Sequence, residues 1–353
     1  MLTLHVDADR WHGHLQEVVR AYPGIVPVAK GNGYGLGLAR LAEIAQQLQL
    51  TADGLGIATL AVGTYAEVPL VEACFTGDLL VLTPWRPFET GGDLDPRVIH
   101  TVGRVEDLEA LGATRTPDRR PRVVLELLTS MRRHGFTPRG LREAADHLDG
   151  LVVEGFALHL PMVTGSHLGE VERLLTDMVA SGIPSRRVFV SHLTRTELAT
   201  LGSSWADFEL RPRIGTELWL GDRGALQVRA TVLDVHPVER GDVFGYRGRS
   251  APKHGHILVV SGGTAHGIGL EAPTGGATIR DRAARVAKGG LDAAGFVRSP
   301  FTVSGKQRLF AEPPHMQASM LFLPHGAAVP AIGDQVSVQV RYTATAFDRI
   351  DIS

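Results

Sequence analysis

The sequence predicts an α/β protein in which an N-terminal (β/α)8 TIM-like barrel is followed by a C-terminal all-β domain. Up to about residue 221, about eight short apolar runs are separated mostly by segments of helical periodicity. This alternation is typical of parallel βα units, and it favours a closed barrel over an open doubly wound sheet. Further along, the chain is rich in Val, Ile and Thr with Gly and Pro at short spacing, which is typical of antiparallel strands.

Periodicity assigns the individual elements in chain order. In the first part of the chain, strands are predicted at residues 2–6, 25–28, 55–58, 79–82, 98–102, 123–128, 152–158, 188–190 and 208–210. Helices are predicted at residues 7–22, 38–48, 61–68, 105–111, 141–148 and 168–179. The C-terminal strands are predicted at residues 228–235, 257–260, 320–323 and 335–340. We therefore expect a barrel domain over residues 9–221 and a β-domain made of residues 1–8 and 222–353, with a helical, charged insertion near 278–296.

Composition narrows the class of protein. Of the 353 residues, 44% are hydrophobic and 21% charged, as in soluble globular proteins. A formal net charge of -2 gives no reason to expect binding to nucleic acid or to an anionic membrane. Cys74 is the only cysteine, which excludes an internal disulfide and a cysteine-based metal site, and we predict no metal. The sequence shows no signal peptide and no apolar run near the ~20 residues that span a bilayer, so we expect a cytoplasmic enzyme or binding protein.

One segment places a single lysine at the end of an apolar run. In IVPVAKGNGYGLG, residues 25–37, the run ends on Lys30 and four glycines follow within seven residues. A strand end that carries one amine, followed by a loop whose backbone can approach a ligand closely, suits a Schiff-base lysine. The same pattern also fits a barrel strand followed by a surface lysine and a flexible turn.

Polar residues follow several other predicted strands. In such barrels the functional residues gather at the C-terminal ends of the strands. The residues found there are Lys30 with Tyr34, then Arg133, His159, the stretch 191–196, and Arg213 with Gly215 and Thr216. An amine, two guanidiniums, an imidazole and a loop of hydroxyl groups and glycine suit an anionic, planar, phosphorylated aromatic, and pyridoxal 5'-phosphate fits that description. Arg133 as a surface residue and His159 as a hydrogen-bonded core residue are the plain structural alternatives.

These motifs, in this order, resemble the alanine racemase family of fold-type III pyridoxal-phosphate enzymes. VAKGNGYGLG is similar to the family's VVKANAYGHG, SMRRHGF to GMGRLGF, HLTRTEL to HLANSAA, and RIGTELWLG to RPGIALYG. The resemblance implies that Lys30 carries the cofactor and that Arg133 contacts its phenolic oxygen and orients the substrate. The other implied cofactor contacts are His159 against the pyridine ring, Arg213 facing the pyridine nitrogen, and Tyr34, Thr196, Gly215 and Thr216 on the phosphate.

The C-terminal half carries weaker matches in the family order. GDVFGYRG resembles GDPVSYGR, whose tyrosine is the family's second acid/base and reaches into the partner subunit's active site; here it is Tyr246. HMQASMLFL resembles SMDQLMVDL, so Met316 would offer its backbone near the substrate carboxylate. The resemblance thus implies a homodimer with shared active sites, in which Lys30 and Tyr246 racemise or epimerise an amino acid from opposite faces of Cα. Tyr246 as a turn residue packed on a β-domain edge is the alternative.

The sequence departs from the family at a few positions. Glu126 stands where many members have a carbamylated lysine, and we expect its carboxylate to orient Arg133 by an ion pair. Thr264 and Gln317 replace an entrance tyrosine and an aspartate, which suggests a wider mouth and a substrate larger or differently charged than alanine. Two other functions stay open at this point: decarboxylation with the same fold and cofactor, and a non-catalytic cofactor-binding role. Against decarboxylation, no HxGS-type glycine-rich phosphate motif follows a barrel strand, and the C-terminal half has no cysteine.

Overall fold

A computed structural model of the protein describes residues 1–51, 57–88, 96–162, 165–270 and 297–353. The chain divides into two compact units, His12–Gly221 and the combination of Met1–Trp11 with Asp222–Ser353. The predicted insertion at 278–296 lies outside the described residues. Within the described ranges, no helix is both long and apolar enough to cross a membrane.

The first unit is a closed barrel of eight parallel strands, as the sequence predicts. Its strands are, in order, β2 (Val26–Ala29), β3 (Thr59–Val62), β4 (Asp78–Val81), β5 (Val98–Val102), β6 (Arg122–Leu127), β7 (Val152–His159), β8 (Arg187–Ser191) and β9 (Glu209–Ile214). The helices are α1 (Ala8–Ala21), which leads into this unit, α2 (Leu38–Thr51), α3 (Val68–Val71), α4 (Val105–Gly112), α5 (Pro138–Ala144), α6 (Leu168–Ala180), α7 (Arg195–Ser204) and α8 (Thr216–Leu220). Strand β9 pairs with β2 and closes the barrel, with Val26 opposite Arg213.

The barrel interior is a continuous apolar layer. Alternate residues of a strand point to the same side, so each of the strands β2 to β8 contributes one or two side chains to it. They are Val26, Val28, Ala61, Leu80, Ile99, Val124, Ala157 and Phe189. Burial of this layer removes apolar surface from water and fixes the register of the strands, so the polar residues that follow each strand are held at one end of the barrel.

The sequence prediction was wrong at the third strand and the helix after it. Strand β3 is Thr59–Val62, whereas residues 55–58 were expected; of these, Ile57 and Ala58 are described and precede the strand. Ala61 and Val62 therefore belong to a strand and not to a helix. The chain turns at Thr64 into a short 3₁₀ turn and then α3, because Glu67 caps this turn through its carboxylate. A short apolar run such as ATLAV carries no periodicity that separates strand from helix.

The second unit is built on an eight-stranded, mainly antiparallel sheet. Its strands are β1 (Leu2–Val6), β10 (Leu226–Val238), β13 (Gly255–Ser261), β14 (Arg298–Val303), β15 (Lys306–Phe310), β16 (Ala318–Pro324), β17 (Gln335–Val338) and β18 (Arg349–Ile352), in the spatial order β13-β16-β15-β14-β17-β10-β1-β18, with β10 also paired to β13. A separate hairpin is formed by β11 (Val243–Phe244) and β12 (Arg249–Ser250). All four C-terminal strands expected from the sequence are present, and the N-terminal strand β1 pairs with β10.

Candidate active site

Lys30 directly follows β2, and a carboxylate holds the backbone next to it. Glu67 accepts a hydrogen bond from the Gly31 amide at 2.9 Å with Oε1, and from the Gly63 amide at 2.6 Å with Oε2. These bonds tie the exit of β2 to the exit of β3. A Cβ atom at Gly63 would lie 2.9 Å from Glu67 Oε2 and 3.1 Å from Lys30 Cβ, so only glycine leaves room for this clamp.

The loop after Lys30 buries a tyrosine in a left-handed conformation. Tyr34 has φ 56° and lies in the short 3₁₀ turn Gly33–Gly35. Its hydroxyl lies over Gly215: a Cβ atom there would be 2.0 Å from Tyr34 Oη. Burial raises the pKa of the Tyr34 phenol to about 12, so the hydroxyl remains a hydrogen-bond donor at neutral pH. Two residues that the sequence predicts on the phosphate, Tyr34 and Gly215, are therefore in contact.

Arg213 is a buried cation at the end of β9. Its Nε donates to Ser191 Oγ at 3.1 Å and its Nη2 to the carbonyl of Leu158 at 2.8 Å. Burial, and then the charge of Arg133, lower the pKa of Arg213 to about 10, although Glu126 opposes this. The guanidinium therefore keeps its charge at neutral pH, and the neighbouring strands hold it in a fixed orientation.

Ser191 also connects Arg213 to the histidine at the end of β7. His159 Nδ1 lies 3.2 Å from Ser191 Oγ, and its ring meets the His192 ring edge-on at 5.2 Å. Burial, followed by the charges of Arg213 and Arg133, lowers the pKa of His159 to about 3. His159 is therefore a neutral imidazole above the barrel interior, available for ring packing and not for charge pairing.

Arg133 lies in the loop after β6, and its relation to Glu126 differs from the expectation. Arg133 Nε donates to His134 Nε2 at 3.0 Å, and the same His134 atom lies 3.7 Å from Glu126 Oε2. No direct ion pair between Arg133 and Glu126 is found among the described residues, because the imidazole stands between them. The expected direct pair is thus wrong in its geometry. Burial, then the charge of Arg133, lowers the pKa of His134 to about 4, so this imidazole is neutral.

Glu126 is a buried carboxyl group in an environment that disfavours its ionised form. It is 3% exposed, and its Oε2 is buried without a hydrogen-bond partner. Burial raises the pKa of its carboxyl to about 7, even though the charges of Arg213 and Arg133 favour the ionised form. An unpartnered carboxylate oxygen in a dry site is costly, so the proton is retained up to neutral pH.

The electrostatic surroundings make Lys30 less basic. Partial removal from water lowers the pKa of its amine, and the positive charges of Arg133 and Arg213 lower it further, whereas Glu67 acts in the opposite direction. A neutral amine is the form that attacks a carbonyl or accepts a proton. Arg133 and Arg213, which the sequence predicts at the same site as Lys30, therefore contribute to lowering the pKa of its amine.

The loops that follow β2, β6 and β8 contain non-glycine residues with a left-handed backbone conformation. Among the described non-glycine residues with a left-handed φ are Tyr34, Arg132 and His192, with φ values of 56°, 51° and 67°. Each lies within four residues of Lys30, Arg133 or Ser191. Such conformations cost free energy and concentrate at functional sites, where the surroundings hold them in place.

The other two predicted phosphate ligands lie at helix starts. Thr216 begins α8, which Trp219 anchors to β2 by donating from Nε1 to the Val28 carbonyl at 2.8 Å. Thr196 is exposed in the first turn of α7, after Thr194, which caps that helix together with Glu197. The role of Thr196 stays a prediction.

In the second unit, Tyr246 lies in the turn of the β11–β12 hairpin and is 88% exposed. Its ring contacts the His315 ring at a centroid distance of 4.6 Å. His315 Nε2 lies 2.6 Å from Oε1 of Glu312, a carboxylate that is 2% exposed. A Cβ atom at Gly245 would lie 2.2 Å from the other oxygen of Glu312, so this carboxylate also supports the residue that precedes Tyr246.

The segment that carries Thr264 and the segment that carries Met316 are hydrogen-bonded to each other. The amides of Thr264 and Ala265 donate to the carbonyls of His315 and Met316, at 2.8 and 3.0 Å. The Met316 side chain is 67% exposed. The segment that carries Thr264 and the segment that carries Met316 therefore form one surface of this unit.

Sequence reasoning missed three contributors to these networks. Glu67 carries a detectable signal, because Thr64 and Glu67 have the spacing of a capping box. Ser191 carries no signal of its own in the sequence, because its bond to Arg213 depends on the closure of the barrel. His134 reads in the sequence only as a polar neighbour of Arg133, and its position beside Glu126 depends on the path of the loop.

The fold is that of a two-unit protein, a (β/α)8 barrel followed in sequence by an antiparallel β-domain. At the C-terminal end of the barrel strands, the mouth of the barrel, Lys30 lies in a cation cluster with Arg133 and Arg213. Residues 6–196 match the family model described as alanine racemase, N-terminal domain. Because this match spans more than half of the chain, the chain belongs to the alanine racemase family, a family of isomerases.

Individual relatives agree with this assignment. The chain is 27% identical over 288 residues to the alanine racemase of Nitratidesulfovibrio vulgaris. This alignment covers 71% of this chain and 73% of that protein. The crystal structure of alanine racemase from Bartonella henselae with covalently bound pyridoxal phosphate has a TM-score of 0.70 at 16% identity, covering 99% of both chains. Histidine racemase from Leuconostoc mesenteroides subsp. sake has a TM-score of 0.68 at 15% identity, covering 100% of this chain and 98% of that one. At these identities the two structures establish the common fold.

Proposed function

We propose that the protein is a pyridoxal-phosphate-dependent amino-acid racemase in which Lys30 and Tyr246 act on opposite faces of the substrate Cα. The observation that carries the proposal is the setting of Lys30. It is the only lysine between residues 12 and 221, it follows a barrel strand, and its pKa is lowered by burial and by Arg133 and Arg213.

The residues of the barrel mouth fit pyridoxal phosphate. The cofactor needs an amine for its aldehyde, donors for its phosphate and a polar partner for its ring nitrogen. Lys30 supplies the amine, the Tyr34 hydroxyl and the backbone of Gly215 and Thr216 supply donors, and Arg213 supplies the partner. Gly215 lacks a side chain where Tyr34 Oη needs the space, which leaves this donor at the site. Arg133, His159 and Thr196 complete the proposed set.

When bound, pyridoxal phosphate withdraws electrons from the amino acid and makes its Cα–H acidic. Racemisation then needs one group to remove the proton from one face and another to supply a proton to the other face. Lys30 serves one face, and its lowered pKa increases the fraction of neutral amine at neutral pH. Tyr246 serves the other face with its phenol.

Arg213 tunes the site by its persistent charge. Its pKa of about 10 leaves it protonated at neutral pH, with Ser191 and the Leu158 carbonyl fixing its plane. A cation opposite the ring nitrogen disfavours protonation of that nitrogen. This limits the charge that the ring can hold and favours return of the proton over side reactions.

We propose a homodimer in which Tyr246 and Met316 enter the partner's active site. Both side chains are strongly exposed, with exposed fractions of 88% and 67%, and both lie on loops of the second unit. Exposed aromatic and methionine side chains are favoured at protein interfaces.

The proposed substrate is an amino acid larger or differently charged than alanine. Thr264, a small polar residue, stands where the family has an entrance tyrosine, and the adjoining segment carries Gln317. The relatives include proteins named alanine racemase and one named histidine racemase, so the fold accommodates different side chains. The imidazole of His315, which the buried Glu312 holds beside Tyr246, offers a polar contact for a charged or aromatic substrate.

The experiment follows proton exchange in deuterated water with purified protein, added pyridoxal phosphate and a panel of L- and D-amino acids. We expect inversion with uptake of deuterium at Cα. Lys30→Ala should abolish both, whereas Tyr246→Phe should abolish inversion and keep exchange from one enantiomer. Release of carbon dioxide would instead indicate a decarboxylase. Cofactor binding without exchange on any amino acid would indicate a non-catalytic homologue, and a strong preference for alanine would refute the proposed substrate.

A further inference from the structure

The second unit contains a cavity of about 680 Å³. Its walls come from the β11–β12 hairpin and from strands β15 and β16. All of its described lining residues belong to the second unit, whereas Lys30 and its neighbours belong to the first. A volume of this size is within the ~300–1,000 Å³ range of small-molecule sites.

The apolar walls of the cavity are formed by three phenylalanines, Phe244, Phe310 and Phe322. Phe310 packs edge-on against the fully buried Phe301 at 6.3 Å. Phe244 and Phe322 rest on a buried cluster made of Val238, Ala251, Ile257 and Ala311. Since core residues support all three rings, the walls exist before any ligand arrives, and they suit an aromatic or bulky aliphatic group.

The polar part of the lining is cationic. It contains Arg249, Lys253 and Arg308, and none of the described lining residues is acidic. Arg249 is partly satisfied, because its Nη1 donates to the Ala311 carbonyl at 3.3 Å. Three positive charges around one apolar cavity favour a negatively charged ligand.

Arg308 provides the most specific indication. Its exposed fraction is 8%, its Nη2 donates to the Val303 carbonyl at 3.1 Å, and its Nε is buried without a hydrogen-bond partner. No carboxylate among the described residues lies within 4.0 Å of this guanidinium. A guanidinium is always charged and carries five N–H donors, so its burial without a counter-ion is unfavourable. An anion that approaches the guanidinium from the cavity would supply a counter-charge.

We propose that this cavity binds an organic carboxylate with an aromatic or bulky aliphatic body. The planar fork of Arg308 pairs with the carboxylate, Arg249 and Lys253 add positive potential at the rim, and the phenylalanines enclose the body. The hairpin that supplies Phe244 and Arg249 also carries Tyr246 in its turn, so a bound carboxylate stabilises the hairpin conformation seen here.

The test is calorimetric titration of the full-length protein with 3-phenylpropionate and with its neutral counterpart 3-phenylpropionamide, which shares the same body. We expect saturable binding of the acid that is at least about tenfold tighter than binding of the amide, a difference of ~1.4 kcal/mol. Arg308→Met should remove this preference and leave the weak binding of the amide unchanged. Arg308→Lys retains the charge without the fork and should give intermediate affinity, which covers the case of a poorly folded methionine variant.

Two controls localise the effect. Arg229→Met removes a guanidinium of the same unit that is already paired with Ser337 and Gln227, and it should leave acid binding unchanged. Arg133→Met alters the lysine-centred site and should also leave it unchanged. Equal affinity for acid and amide, no effect of Arg308→Met, loss of binding in Arg133→Met, no saturable binding, or binding of phenyl phosphate but not of the carboxylate would each overturn the proposal.

Discussion

Replacement of Glu126 by glutamine tests the electrostatic account of the barrel mouth. The carboxyl is buried, its Oε2 has no hydrogen-bond partner, and burial raises its pKa from 4.5 to about 7. Glutamine keeps the shape and removes the charge. Because the folded protein holds this proton more tightly than the unfolded chain, the carboxyl contributes stability at low pH and loses it as pH rises through about 7.

The magnitude follows from this shift. Raising the pKa from 4.5 to about 7 corresponds to ~3 kcal/mol in total. With these two values, about 2.5 kcal/mol of the change falls between pH 5 and pH 8. The free energy of unfolding of the wild type should therefore fall relative to Glu126→Gln by roughly this amount over that interval.

The assay is urea unfolding at pH 5, 6, 7 and 8, followed by tryptophan fluorescence, since Trp85, Trp205 and Trp219 all lie in the barrel unit. Glu197→Gln is the matched control, because the pKa of Glu197 is shifted in the opposite direction to that of Glu126. Burial opposes ionisation of Glu197, but hydrogen bonds from Thr194, His167 and Ser166 lower its pKa to about 2, so its contribution is present above pH 4.5 and is lost toward pH 2. Glu197→Gln should destabilise the protein at every pH tested. A difference in unfolding free energy between wild type and Glu126→Gln that does not change between pH 5 and 8 would show that the pKa of Glu126 is not raised in the folded protein.

Three further changes test the contacts around the proposed cofactor. Gly215→Ala should displace Tyr34, because the new Cβ would lie 2.0 Å from Tyr34 Oη and 2.9 Å from Tyr34 Cζ, and should weaken cofactor binding; the double variant with Tyr34→Phe loses the shorter contact and should regain part of the lost stability, whereas Gly202→Ala, with open space at Cβ, should not lower stability. Ser191→Ala leaves the buried Nε of Arg213 without its acceptor and should cost ~1–3 kcal/mol in urea unfolding, with exposed Ser203→Ala near neutral; equal costs would contradict the assigned bond. Glu67→Gln removes the negative charge that raises the pKa of Lys30, so labelling of Lys30 by an amine reagent should extend to lower pH, while Glu72→Gln should match the wild type; an unchanged labelling profile would remove Glu67 from this role.

The barrel and most of the residues at its C-terminal end were predictable, because local sequence patterns indicate both the strands and the residues that follow them. Apolar strands alternate with helical segments, so the eight-strand barrel follows from periodicity, and functional residues follow the strands in a known direction. Lys30, Arg213 and His159 could be found in this way. The structure brings them into one electrostatic cluster, in which each cation lowers the pKa of its neighbours.

The parts that were not predictable depend on contacts between distant segments. Ser191 bonds to Arg213 and approaches His159 only because β7, β8 and β9 are adjacent. His134 separates Arg133 from Glu126 because of the loop path after β6, which a strand pattern does not encode. The third strand was misplaced because a short apolar run fits both strand and helix.

Lys30 is the residue that we propose carries pyridoxal phosphate, and the small number of lysines allows a direct test. The chain has four lysines, Lys30, Lys253, Lys288 and Lys306, of which only Lys30 lies in the barrel unit. The measurement is borohydride reduction of the protein with pyridoxal phosphate, followed by proteolysis and mass spectrometry. We predict one stoichiometric pyridoxyl adduct on Lys30, absent in Lys30→Ala. No adduct, or an adduct mainly on Lys253, Lys288 or Lys306, would contradict it.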